Sequence, residues 1–184
     1  MLEYLYNLLM NLYNDVDEIV PNLWLGNADS ALNVDFLVKN DINVIVNCTK
    51  NKPFVDQQNN HFDKFIETFR IPVDDSLLDK DIDSMTEYLK VIIPLLLNKY
   101  TVEKKNILIH CHMGKQRSAI VIACLLKVLI DFNYISTEIS KDIDDKQQFD
   151  EICNYILSKR PQAFTFGYRI NFKRSFYKFF NIKE

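Results

Sequence analysis

Apolar positions along the chain change period several times, and each change marks an element. Leu2, Leu5, Leu9 and Leu12 recur at helical spacing with Tyr4, Tyr6 and Tyr13 around them. That stripe predicts an amphipathic helix packed on its own domain or, in a homodimer, against a second copy of the chain. Val20-Pro21-Asn22-Leu23-Trp24-Leu25-Gly26 reads as a turn, a short strand and a stop. Helical periodicity returns over 28–39. Residues 42–47 alternate and are β-branched, which predicts a strand, and 69–73 predict another that ends at Asp74-Asp75. A long amphipathic helix is expected over 82–97 despite Pro94, and a short buried strand over 106–110. Residues 119–130 are almost wholly apolar, as in a helix buried on most faces. Two more amphipathic helices fall over 147–158 and 167–180. Strands alternating with helices indicate an α/β fold with a sheet covered on both faces.

Composition narrows the class. A chain of 184 residues supplies one well-packed domain and is short for two. The net charge of −3 gives no long-range attraction for nucleic acid or an acidic membrane, so neither is expected as a partner. Cys48, Cys111, Cys124 and Cys153 are widely spaced and include no C-x-x-C pair, unlike a secreted disulfide scaffold. Residues 1–13 lack a basic start and are interrupted by Asn7 and Asn11, unlike a signal peptide. No run approaches the roughly 20 apolar residues that span a bilayer. These features predict a soluble intracellular protein, cytoplasmic in preference to nuclear.

The chemistry concentrates in Ile107-Leu108-Ile109-His110-Cys111-His112-Met113-Gly114-Lys115-Gln116-Arg117-Ser118-Ala119, which runs from the buried strand through a turn into the buried helix. In such a turn the backbone N–H groups of His112, Met113, Gly114, Lys115, Gln116 and Arg117 can form an anion-binding nest, reinforced by the positive end of the helix. Gly114 supplies a conformation that a side chain resists. Cys111 opens the loop and Arg117 closes it, so both can face one tetrahedral anion, and a planar guanidinium grips two phosphate oxygens at once. The same positive surroundings favour thiolate over thiol. Ser118 can donate to that sulfur. His110, Cys111 and His112 are consecutive and point apart, and no other ligand pair has zinc spacing, so no metal and no cofactor are expected.

The loop resembles the signature H-C-x-x-G-x-x-R-[ST] of the dual-specificity branch of the protein tyrosine phosphatase superfamily, matched at His110, Cys111, Gly114, Arg117 and Ser118. Residues 20–27, the 43–47 strand, Ile71-Pro72-Val73-Asp74-Asp75 and Arg160-Pro161 also resemble family landmarks, and the similarity covers roughly 18–180. The resemblance implies a single-domain fold with a central, mostly parallel sheet flanked by helices. It implies a catalytic domain over 18–184 behind a helical extension over 1–17. It also implies a general acid on the loop after Val73; Asp74 and Asp75 both qualify, and the family's I-P-V-x-D pattern places Asp75 in the role. His110 would support the loop. Cys48, at the end of the strand expected beside it, could form a reversible disulfide with Cys111.

The activity so implied is hydrolysis of phosphotyrosine, phosphoserine and phosphothreonine in proteins. Cys111 would attack phosphorus, Arg117 hold its oxygens, Asp75 protonate the leaving hydroxyl, and Ser118 stabilise the returning thiolate. The sequence departs from the pattern at several points. His112-Met113 and Lys115-Gln116 replace small residues, and Lys115 adds a cation, as in phosphoinositide and inositol-polyphosphate phosphatases of the same superfamily. Residues 162–168 lack the usual Pro-Asn turn, and 131–146 form a longer connection than is typical. An RNA 5′-triphosphatase is disfavoured by the acidic charge, and an inactive phospho-binding module by the full set of Cys111, Arg117, Ser118 and Asp75.

Overall fold

The computed structural model describes residues 14–60, 62–76, 78–165 and 170–183, so the leucine stripe over 2–12 lies outside the described residues. Five strands form one sheet: β1 (Val16–Val20), β2 (Leu23–Gly26), β3 (Ile42–Asn47), β4 (Glu67–Arg70) and β5 (Asn106–His110). Their order is β1-β2-β5-β3-β4, with β1 antiparallel to β2 and every other pair parallel. The strand that leads into the cysteine loop is therefore central. The helices are α1 (Val34–Lys39), α2 (Asp79–Thr101), α3 (Arg117–Asp131), α4 (Asp145–Lys159) and α5 (Lys173–Phe180).

Strand alternation divides the core in two. Leu25, Ile109 and Val46 lie in register across β2, β5 and β3 and belong to the large cluster under α2 to α5. Trp24, Leu108 and Ile45, one residue back in each strand, belong to a smaller cluster with Leu37 of α1 and Ile66. Because β5 is buried on both faces, it can be apolar throughout. Helix α3 packs on it with twelve buried residues, as the uninterrupted apolar run predicts.

Four boundaries differ from expectation. Strand β1 starts at Val16, so the last residues of the expected 1–17 extension belong to the sheet. The helix expected over 28–39 is a single 3-10 turn, Ser30–Leu32, followed by α1. Ser30 Oγ donates to Asn27 O and the Asn33 side chain accepts from Phe36 N, so side chains satisfy the backbone groups that would have joined the two pieces. The strand expected over 69–73 is β4, two residues earlier, because β3 ends at Asn47 and offers only its carbonyl to Ile71 N. Helix α5 starts at Lys173, not 167, and 166–169 are not among the described residues. Pro94 sits on the exposed side of α2, which continues through it. No helix among the described residues is long and apolar enough to cross a membrane.

Candidate active site

Cys111 follows β5 directly and is 2% exposed, at the floor of the turn that leads into α3. The shape of this turn comes from where its carbonyls go. His112 O accepts from Ala28 N at 3.2 Å, and Lys115 O from Phe164 N at 2.8 Å. Gly114 O accepts from Arg160 Nε at 2.9 Å and Met113 O from Arg160 Nη2 at 3.3 Å. The N–H of a trans peptide points opposite to its C=O, so four carbonyls anchored outside turn the following N–H groups inward. Gly114 has φ +65°, and a Cβ there would stand 2.5 Å from Gly26 O and 2.7 Å from Arg160 Nη2. Only glycine fits that position.

Burial pushes the Cys111 thiol up. The Ser118 hydroxyl, which donates to Sγ at 3.2 Å, the Arg117 guanidinium and the N–H groups of Ser118 and Lys115 more than offset it, and the thiol is held below the ordinary thiol range. The other cysteines show burial without that support. Cys48, Cys124 and Cys153 are all raised, first by desolvation. Cys48 N donates to His110 O at 2.8 Å, and the Cys48 thiol is raised further by the charge of Cys111, which places the two sulfurs as electrostatic neighbours.

Arg117 opens α3, and its Nη1 donates to Val73 O at 3.1 Å. Its Nε is buried with no hydrogen-bond partner among the described residues, and Asp75 Oδ2 stands 3.8 Å away. A donor so placed at the mouth of an amide nest suits a phosphate oxygen. The two neighbouring aspartates diverge. Asp74 pairs with Lys50 at 2.6 Å in solvent, whereas Asp75 faces Arg117 and accepts from Asn171 Nδ2 at 2.7 Å. His110 Nδ1 lies 3.4 Å from Cys111 O, and its buried Nε2 has no partner among the described residues. Desolvation pulls the His110 pKa down to about 4, so the ring is neutral. Thus Cys111, Arg117, Ser118, Asp75, His110 and Cys48 come together, with the amides of 112–117 around them.

A family model described as the catalytic domain of dual specificity phosphatases matches residues 23–182. The chain belongs to that family. It is 28% identical over 112 residues to dual specificity protein phosphatase 8 of Mus musculus, an alignment covering 60% of this chain and 15% of that relative. Among solved structures the fold is similar to the Yvh1 phosphatase domain of Chaetomium thermophilum, with TM-score 0.68 and 19% identity over 91% of this chain and 96% of the other. It is also similar to OH1 from the Orf virus, with TM-score 0.65 and 17% identity over 97% and 98% of the two chains.

Two residues at the site carried no assigned role in the sequence. Arg160, although quoted with Pro161 as a family landmark, proves to be fully buried. Besides Gly114 O and Met113 O it reaches Asn14 O at 3.1 Å and Asp17 Oδ2 at 2.5 Å. An arginine directly after a helix, in a chain with few others, was the available signal. Asn171 carried none. It lies just past a segment that departs from the family's usual turn.

Proposed function

We propose that this chain is a cysteine-dependent phosphatase acting on phosphorylated protein side chains through a phosphocysteine intermediate. The observation that carries the proposal is a buried sulfur whose pKa is lowered by the Ser118 hydroxyl, donating at 3.2 Å, and by the Arg117 guanidinium, under a ring of inward amides. Cys111 attacks phosphorus in line, forming the S–P bond as the P–O bond to the leaving group breaks. The loop amides and Arg117 hold the equatorial oxygens, and Asp75 gives its proton to the leaving oxygen. Water, deprotonated by the same carboxylate, then breaks the S–P bond while Ser118 donates to the departing thiolate. His112 and Met113 are exposed, so the phosphate-binding turn lies near the surface, where the short phosphoserine and phosphothreonine arms reach as well as phosphotyrosine. Cys111→Ser should abolish turnover of p-nitrophenyl phosphate and of phosphopeptides while leaving phosphate binding within about threefold by titration; surviving turnover would refute the proposal.

Cys48 is assigned as the partner of a reversible disulfide. Peroxide would oxidise the Cys111 thiolate to a sulfenic acid, and Cys48 would displace water from it to form the S–S bond. Activity lost to peroxide should return with dithiothreitol in the native chain but only poorly in Cys48→Ser.

A second reading rests on Lys115. Its half-buried side chain forms no ion pair among the described residues and sits in the phosphate-binding turn, which suits a substrate carrying several phosphates. Turnover of phosphoinositides or inositol polyphosphates exceeding that of phosphopeptides would select this reading.

A further inference from the structure

Asp75 and the phosphate-binding turn are linked by a residue that belongs to neither. Asn171, in the turn before α5, donates through Nδ2 to Asp75 Oδ1 at 2.7 Å. Its own backbone N donates to Gln116 Oε1 at 3.0 Å. Gln116 is 2% exposed and immediately precedes Arg117 in the turn. The other oxygen of Asp75, Oδ2, is the one that faces Arg117 Nε, at 3.8 Å. The carboxyl group is therefore held in one rotation about its last bond, with an amide donor on one oxygen and the phosphate site on the other. Its side chain is 27% exposed, open enough to exchange a proton with water.

A carboxyl oxygen that already accepts an N–H hydrogen bond is a poor place for a proton, since the two hydrogens would collide. We propose that Asn171 is a positioning residue that directs the acidic proton of Asp75 to Oδ2, the oxygen beside the bound phosphate. Each turnover then begins with that proton facing the leaving oxygen. It moves from Oδ2 to the leaving oxygen as the P–O bond breaks, and water restores it in the second step. Without Asn171 the carboxyl group rotates freely, and its proton faces the leaving oxygen in only a small share of its orientations. This inference rests on the assignment of Asp75 under the proposed function.

The tie to Gln116 runs through the Asn171 backbone, so truncating the side chain removes only the contact with Asp75. Turnover of phenyl phosphate, whose leaving group needs the proton, is compared with that of p-nitrophenyl phosphate, whose leaving group hardly does. Asn171→Ala should lower kcat for phenyl phosphate about tenfold and for p-nitrophenyl phosphate less than about twofold, with inhibition by inorganic phosphate unchanged. Asn171→Asp, of the same shape but lacking the donor, should repeat the selective loss and serves if the alanine variant folds poorly. In an Asp75→Asn background Asn171→Ala should add nothing. Equal loss on both substrates, or an undiminished loss in that background, overturns the proposal. If Asp75→Asn is itself selective against phenyl phosphate while Asn171→Ala is silent, the positioning role alone fails. If Asp75→Asn spares phenyl phosphate, the assignment of Asp75 fails and this one with it.

Discussion

At the scale of single residues, the site is a contest between burial and local charge at one sulfur. Desolvation is the largest cause that drives Cys48, Cys124 and Cys153 upward, and the same burial at Cys111 is overturned by one hydroxyl, one guanidinium and two amides. A hydrogen bond to a charged acceptor contributes about 1.5–3 kcal/mol, so Ser118→Ala should raise the pH midpoint for iodoacetate inactivation by about one to two units. The sign follows from the depressed thiol: the thiolate dominates above its lowered midpoint, and losing a donor moves the midpoint back up toward the ordinary thiol range. Under the proposed mechanism, hydrolysis of the phosphocysteine in that variant should slow enough to give a burst with p-nitrophenyl phosphate. Cys111, Gly114, Arg117 and Ser118 were legible because their chemistry is local, packed into one turn whose spacing the chain displays. Asn171 was not, because its only distinguishing contact is with a residue almost a hundred positions away.

At the scale of elements, the turn is shaped by pieces remote in the chain: the residues after β2, the start of α3, and the stretch after α4 that holds Arg160 and Phe164. Arg160 is the strongest of these ties because one planar fork serves two carbonyls of the turn, a third at Asn14 and the Asp17 carboxylate. Arg160→Met should cost about 3–5 kcal/mol in urea unfolding, since it strands a carboxylate that is 12% exposed. Adding Asp17→Asn should recover part of that stability but little of the activity, because the carbonyls of Met113 and Gly114 still lack their donor. The helices and central strands were readable from periodicity, as the long runs of α2 and α3 show. Edges were harder. Strand β1 carries Asp17 and Glu18 in its middle, since one faces Arg160 and the other caps the Pro21-Asn22 turn by accepting from Asn22 N at 2.8 Å. Neither demand gives a strand pattern.

For the whole molecule, the neutral buried imidazole of His110 ties stability to pH. In the unfolded chain a histidine takes up a proton near 6.5, whereas in the fold it does so only near 4. Between those values the unfolded state binds the extra proton, so stability should fall as pH falls, by up to about 3 kcal/mol once pH 4 is reached. Urea midpoints measured at pH 7 and pH 4.5 should differ accordingly, and His110→Asn should flatten the dependence. The α/β class was legible from alternation, and the mostly parallel sheet was what the family resemblance implied. The antiparallel β1 edge was not, since nothing in a single strand announces the direction of its neighbour.

The buried guanidinium at position 160 joins the first described strand to the turn at 113–114 from a point almost fifty residues further along the chain. During synthesis, then, Cys111 is made some fifty residues before the group that organises its surroundings. A ribosome-held chain ending near residue 150 carries the sulfur without Arg160 to hold the ring of amides that lowers its pKa. Reactivity toward phosphate esters, and toward oxidants, is thereby deferred until synthesis has passed residue 160.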